Sequence, residues 1–291
     1  MADAFLQTAI QTLRSAGVPD PEWDGAELLE WAGGPDRAHL PLWDGRLSEE
    51  AQARFQEGVR LRAARIPLQQ IIGRCWFMGL PFKINREVLC PRPDTEILCE
   101  RALKILKDRE GRPSVLDLCC GSGCIGLSLA KLHPEARVIL SDISPGALAL
   151  ARENAALNGV EERCEFVQGD MLAPFTETSF DLIVCNPPYI PSGEIEELMP
   201  EVRDHEPRLA LDGGADGLEF YRRLASPCPP PDEGEGAAKR REGATCPHLL
   251  LEIGCEQGEA VKALFLKAGW KKVLVHKDYA GLDRVVEVIE E

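Results

Sequence analysis

Basic residues are the scarce component of this chain: 33 Lys and Arg stand against 48 Asp and Glu, a formal net charge of −15 over 291 residues. Nonspecific affinity for DNA or RNA comes mainly from cations that displace phosphate counterions, and an acidic field of this size opposes it without forbidding a local basic groove. No segment offers the long uncharged apolar run of a membrane helix. The start, Met1-Ala2-Asp3-Ala4-Phe5, lacks the basic and apolar regions of an export signal, and its early acid does not suit an Arg-rich transit peptide. A cytoplasmic protein is expected. Eleven cysteines are present, but they are scattered, no C-x-x-C pair occurs, and the five histidines show no zinc-ligand spacing. The expectation is reduced structural thiols and no metal.

What remains is ordinary globular composition, 44% hydrophobic and 28% charged. The length suits one large domain with a smaller one. From Phe5 to about Ile72 the apolar residues recur at helix spacing, as in Leu6, Ile10 and Leu13, then Ala26 and Leu29, then Phe55 and Val59. Ser48 reads as the N-cap of the last of these helices and Pro67 as its stop. Cys75 to Leu89 changes character: Trp76-Phe77-Met78-Gly79-Leu80-Pro81-Phe82 reads as short strands around a turn.

Beyond Pro93 apolar β runs alternate with helical stretches, the pattern of βαβ units and a parallel sheet. Seven strands are expected, at Val115–Leu118, Val138–Ser141, Glu165–Gln168, Leu182–Cys185, Leu249–Ile253, Val273–His276 and Val285–Ile289. Ser144 followed by Pro145 starts a helix that Asn158-Gly159 ends. Ser226 to Pro247, rich in Pro, Gly and charge, cannot pack a core and reads as a mobile surface loop.

Three strand ends carry the chemistry. The first runs into Cys119-Cys120-Gly121-Ser122-Gly123, where glycine lets the backbone approach a ligand closely. A lone G-x-G is equally a tight turn. The next strand ends in Asp142, whose carboxylate can accept hydrogen bonds from both hydroxyls of a ribose, and the third ends in Gly169-Asp170-Met171. There Asp170 can take an adenine amine and Met171 can cover the ring. Each acid alone could merely cap a turn; the glycine loop and the two acids, from three consecutive strands at one sheet rim, together point to a nucleoside cofactor.

The fourth strand, Leu182–Cys185, stops at Asn186-Pro187-Pro188-Tyr189. Two prolines remove backbone donors and fix φ, leaving a rigid loop with free carbonyls. Such a loop suits one task. An amide or aromatic amine is a poor nucleophile, so a catalyst must hold its two N–H hydrogens on acceptors while the lone pair faces an incoming methyl. The Asn186 side-chain oxygen and the Pro187 carbonyl can be those acceptors, and Tyr189 can stack on the planar group. Alignment of this kind supplies roughly 7 to 11 kcal/mol of barrier reduction.

These residues resemble the class I methyltransferases, and within them the HemK/PrmC family of peptide chain release factor glutamine methyltransferases. The resemblance covers nearly the whole chain. It includes Pro67-Leu68-Gln69-Gln70-Ile71-Ile72-Gly73, Phe77-Met78-Gly79-Leu80, Pro91-Arg92-Pro93-Asp94-Thr95-Glu96, the glycine loop, Asn186 to Tyr189, Glu206-Pro207-Arg208-Leu209-Ala210-Leu211, and Leu251-Glu252-Ile253-Gly254. The stretch from Arg92 to Glu96 is the most discriminating, since a sister family acting on a ribosomal protein usually differs there.

The resemblance implies an α/β Rossmann-like domain with a seven-stranded, mostly parallel sheet over residues 91–291. It also implies a small all-α substrate-recognition domain over 1–74 and a β-hairpin linker over 75–90. It implies S-adenosyl-L-methionine as cofactor, leaving S-adenosyl-L-homocysteine, with Cys119, Cys120, Gly121, Ser122, Gly123, Asp142, Asp170, Met171 and Asn186 around it. The substrate would be the glutamine of a Gly-Gly-Gln motif in a release factor, held by Asn186, Pro187, Pro188 and Tyr189. Asn186, Pro187 and Tyr189 would be the catalytic set. No direct nucleic-acid contact, no membrane and a monomer are expected. Cys119 departs from the family where many members have the loop's first glycine; a similar cysteine occurs in the sister family. Rival readings are therefore a glutamine methyltransferase of a ribosomal protein, an N-methyltransferase of adenine or guanine in nucleic acid, and a noncatalytic module that binds the cofactor or the release factor.

Overall fold

The computed structural model describes residues 2–176, 178–225 and 248–289. The Ser226 to Pro247 segment read as a surface loop lies outside the described residues. The chain divides into two compact units, Met1–Arg74 with Leu198–His205, and Cys75–Glu197 with Glu206–Glu291.

The first unit is helical: α1 (Ala2–Ser15), α2 (Pro21–Trp31), α3 (Glu49–Ala63), α4 (Leu68–Ile72) and, from the later excursion of the chain, α8 (Pro200–Arg203). The apolar residues at helix spacing converge, with Leu13, Leu28, Leu29 and Phe55 fully buried. Ser48 caps α3, its Oγ accepting from the Ala51 N–H at 3.1 Å. Pro67 does not stop that helix. α3 ends earlier, at Ala63, and Pro67 instead leads into α4, because a ring held at φ −54° without an N–H is tolerated at a helix start.

Charge is also buried here. Arg62 Nε meets Asp24 Oδ2 at 2.6 Å and its Nη2 meets Glu201 Oε1 at 2.8 Å, while Arg65 grips the same Glu201 with two nitrogens at 2.7 and 2.5 Å. These contacts tie α8 into the helical core, and Gln70 adds a bond to the His205 carbonyl at 3.0 Å.

The second unit opens with a hairpin, β1 (Arg74–Phe77) and β2 (Leu80–Lys83), turned by Met78 and Gly79, both at positive φ. Its main sheet comprises β3 (Ser114–Leu118), β4 (Arg137–Asp142), β5 (Cys164–Gln168), β6 (Leu182–Cys185), β7 (His248–Glu252), β8 (Lys272–Lys277) and β9 (Asp283–Ile289), in the order β5-β4-β3-β6-β7-β9-β8. The strands from β5 to β7 are parallel; β9 enters antiparallel between β7 and β8. All seven expected strands are present.

Side chains alternate between two cores, as a strand period of two requires. Val115, Leu182, Val184 and Leu250 face one core, together with α5 (Glu96–Lys107), α6 (Cys124–Leu132) and α7 (Pro145–Asn158). Leu116, Ile183, Cys185 and Leu251 face the other, with α9 (Glu219–Ala225) and α10 (Gly258–Lys267). Ser144 caps α7 by accepting the Ala147 N–H at 3.2 Å, and Gly159 closes it at φ +65°. The connections are less uniformly helical than the alternation suggests. Only a 3₁₀ turn, Ala173–Phe175, separates β5 from β6 among the described residues, and a tight turn joins β8 to β9 through the Leu282 carbonyl, which accepts the Asp278 N–H at 2.8 Å.

This order decides where a ligand goes. Succession runs from β3 outward to β5 and then jumps back to β6 on the other flank, so the strand order reverses at the β3/β6 boundary. Ligands of open α/β sheets bind beyond the carboxyl ends at such a point. Leu118 pairs with Cys185 in register, so Cys119 and Asn186 leave the sheet side by side.

Candidate active site

A cavity of about 740 Å³ opens at that boundary, large enough for a nucleoside cofactor. Cys119, Cys120, Gly121, Ser122, Asp142, Asp170, Met171, Asn186 and Pro188 all line it. Gly123, Pro187 and Tyr189 do not.

Gly123 sits below the wall as the residue from which α6 springs, at φ +78°. A Cβ there would come within 3.0 Å of the Leu140 side chain and within 2.9 Å of Leu127, so the turn requires glycine. Cys119, with no such freedom, is nevertheless at φ +58°, and Met171 across the cavity is at φ +51°. A left-handed conformation at a non-glycine residue costs roughly 1 to 3 kcal/mol and persists where the surroundings impose it. The two sulfurs are 3.7 Å apart.

Asp142 already uses both oxygens on backbone: Oδ2 accepts the Gly121 N–H at 2.8 Å and Oδ1 the Ser144 N–H at 2.9 Å. Burial pushes its carboxyl up, and the N–H groups of Ser144, Gly121 and Ile143 pull it back. The carboxylate is thereby fixed in orientation, with lone pairs left for a diol. Asp170 Oδ1 is held by Arg223 Nη2 at 2.7 Å.

Four features of the site had no role assigned from the sequence, although most of their residues lie in the stretches that carry the family resemblance. Asp117, inside β3, is fully buried; its Oδ2 accepts the Gly126 N–H at 2.7 Å and its Oδ1 has no partner among the described residues. Burial pushes that carboxyl up to about 7. An acid inside the apolar run Val115–Leu118 was the available signal.

Arg92 pairs with the buried Glu206 at 2.7 Å, and Glu206 also accepts the Cys90 N–H at 3.2 Å. Nearby, Glu96 accepts the Met78 N–H at 2.6 Å, and Asp94 meets Arg284 at 3.2 Å. The Arg92 to Glu96 stretch thus braces the hairpin, the wall of the cavity and β9.

Gln257, third, ties the loop after β6 to the turn after β7. Its Oε1 accepts the Gly254 N–H at 2.9 Å, and its Nε2 donates to the Tyr189 carbonyl at 2.9 Å. Fourth, Glu252 is 2% exposed and lies against Thr95 and Asn186; burial pushes it up to about 7, opposed by those two side chains and by Arg284. Asn186 Nδ2 faces Thr95 Oγ1 at 3.5 Å. The Tyr189 hydroxyl is pushed up to about 12, chiefly by burial and then by Glu252. All nine cysteines among the described residues are free, and no cluster of three or more His, Cys, Asp or Glu there could hold a metal. No helix is long and apolar enough to cross a membrane among the described residues.

Strand order, glycine loop and rim acids together define a class I methyltransferase. The model of the Methyltransferase small domain matches residues 95–202, and that of the PrmC N-terminal domain matches residues 4–73. The release factor glutamine methyltransferase of Cereibacter sphaeroides is 44% identical over 98% of this chain and 96% of its own length. That of Moorella thermoacetica is 43% identical over 96% and 95%. Among solved structures, the hMettl16 catalytic domain shares the fold at a TM-score of 0.55 and 15% identity, covering 88% of this chain and 93% of that one. The chain belongs to the release factor glutamine methyltransferase family.

Proposed function

We propose that this enzyme transfers a methyl group from S-adenosyl-L-methionine to the side-chain amide nitrogen of the glutamine in the Gly-Gly-Gln motif of a peptide chain release factor. The observation that carries the reading is the placement of Asn186 beside Cys119 at the mouth of one cavity, in a chain similar over nearly its full length to enzymes of that name. The bound cofactor supplies an electrophilic methyl and leaves as S-adenosyl-L-homocysteine.

The chain's own residues supply orientation. Asp142, its carboxylate fixed by two backbone N–H groups, takes the ribose diol, Cys119 to Gly123 give a close backbone approach, Asp170 takes the adenine amine and Met171 covers the ring. Asn186 Oδ1 and the Pro187 carbonyl accept the two N–H hydrogens of the glutamine amide, so its lone pair faces the methyl; Tyr189 closes on the planar group. Pro187 has no N–H to compete for an acceptor at this point, and its carbonyl, like any carbonyl, can only accept. No side-chain base has to act before transfer, because the N-methylated amide is formed carrying both N–H protons and a positive charge, a strong acid that gives up one proton to water to leave the neutral N-methyl amide.

Residues 1–74 serve recognition of the protein substrate, 75–90 link, and 91–291 carry catalysis. The enzyme works in the cytoplasm as a monomer without direct nucleic-acid contact. The test is a radiolabelled methyl-transfer assay offering release factor, ribosomal proteins, and unmodified DNA with RNA in parallel. Label on the release factor, lost when its Gly-Gly-Gln glutamine is changed, is expected. Label on ribosomal protein or nucleic acid alone would overturn the substrate, and no label on any acceptor would favour a binding module.

A further inference from the structure

Asn186 can serve as an acceptor only if the oxygen end of its amide faces the substrate. The two ends of a side-chain amide have the same shape, so packing cannot choose between them; charge and hydrogen bonding must. Two polar groups adjoin Asn186. One is the Thr95 hydroxyl, 2% exposed on the 3₁₀ turn Pro93–Thr95, with Oγ1 3.5 Å from Asn186 Nδ2. The other is the carboxylate of Glu252 at the end of β7: Leu251 pairs in register with Cys185, so Glu252 and Asn186 leave adjacent parallel strands side by side, and the carboxylate is 2% exposed with no partner for its Oε2 among the described residues.

We propose that Glu252 is a positioning residue for methyl transfer: with the Thr95 hydroxyl, its carboxylate selects the amide orientation in which Asn186 presents its oxygen to the substrate. An ionised carboxylate accepts and never donates, so any amide edge turned toward it must be the NH2 edge. Thr95 relays the same preference, accepting from Asn186 while donating to the carboxylate. A neutral carboxyl can do the opposite, donating its O–H to Asn186 Oδ1 and holding the amide reversed.

The charged and titratable groups around Glu252 are Asp94 beside Thr95, Arg284 on β9, Tyr189 in the loop, Tyr221 on α9, Cys99 on α5 and Cys124 on α6. Arg284 favours the ionised form and Asp94 opposes it. β7 is also anchored independently of the carboxylate, since the Tyr221 hydroxyl donates to the Glu252 backbone carbonyl at 2.7 Å. The side chain is therefore separable from the strand's structural role.

This inference rests on the reading of Asn186 as the glutamine acceptor, and the test keeps the two apart. In the full-length enzyme with release factor as substrate, Glu252→Gln keeps the shape and removes the charge. Its kcat should fall about 10- to 100-fold, with cofactor affinity and the KM for release factor within about threefold of native. Thermal stability should not fall, because a buried charge has been removed. The native kcat should rise with pH as Glu252 ionises, and Glu252→Gln should lack that limb. Thr95→Val should lower kcat in the same sense. In an Asn186→Ala background, Glu252→Gln should add no further loss.

A native kcat and pH profile in Glu252→Gln, beside an inactive Asn186→Ala, would overturn this inference alone. A loss matched by equal losses of cofactor affinity and melting temperature would overturn it too, since that is what a structural role produces. A fully active Asn186→Ala would overturn the underlying reading and this inference with it.

Discussion

In the helical unit, Asp24, Arg62 and Glu201 are 7%, 5% and 7% exposed, and each carboxylate meets a guanidinium. In the sheet unit, Asp117 and Glu252 are buried more deeply still, yet each keeps an oxygen with no hydrogen-bond partner among the described residues. The physical cost of burying charge is the same in both places; the answers differ. Where the helices needed to hold a distant stretch of chain, 198–205, in one position, the charges were paired. Within the sheet two acids, Asp117 and Glu252, were left short of partners, while the rim acids Asp142 and Asp170 and the bracing Glu206 are paired, and burial raises both Asp117 and Glu252 to about 7. A buried carboxyl left without a full set of partners is a candidate functional group, where a paired one is a structural brace.

That contrast can be broken at several points. The largest effect is expected at the site: Asn186→Ala should lower turnover about a thousandfold, with cofactor affinity within about threefold, by single-turnover kinetics and calorimetry. On the paired side, Arg62→Ala leaves Asp24 without its guanidinium and should cost about 3 kcal/mol or more in urea unfolding with methyl-transfer chemistry intact in the folded fraction. A loss of only a few tenths would remove the contrast.

Asp142→Ala should weaken cofactor binding about a hundredfold in calorimetry, through two charge-assisted hydrogen bonds, and unchanged binding would dismiss the ribose assignment. The smallest effect concerns Asp117. Folded, it keeps its proton up to about pH 7, against an ordinary value of 3.8. Between those values the folded chain binds the extra proton, so this residue's contribution to stability falls as pH rises. Asparagine does not titrate. The unfolding free energy of Asp117→Asn relative to native should therefore increase from pH 4 to 7, by on the order of 2 kcal/mol. A pH-independent difference would place Asp117 among ordinary structural acids.

Much of this was legible in one dimension because it is local. Strands such as Leu182–Cys185 show their period and apolarity over a few residues, and the caps at Ser48 and Ser144 depend on neighbours three positions away. Cys119, Asp142 and Asn186 announced themselves as strand-end residues, since a sheet's carboxyl rim follows from the βαβ order. Thr95, Glu206 and Glu252 stand in stretches the family resemblance picks out, yet their roles, and Gln257 altogether, were not legible, because each acts on a partner far along the chain. Arg92 and Glu206 are 114 residues apart, and Gln257 and Tyr189 are 68. Helix α8 escaped for the same reason: four residues carry no periodicity, and what stabilises them is Arg62 and Arg65 more than 130 positions earlier.

By itself, then, the sequence determined the elements, their alternation and the residue types at four strand ends, all of which depend on contacts within a turn or a strand. Tertiary structure alone decided that Leu118 and Cys185 run in register, that Cys119 takes a left-handed backbone, and that Glu252 and Thr95 come to lie beside Asn186. Those are consequences of folding order and burial, where the energy of a buried polar group is set by whichever distant residue the fold brings against it.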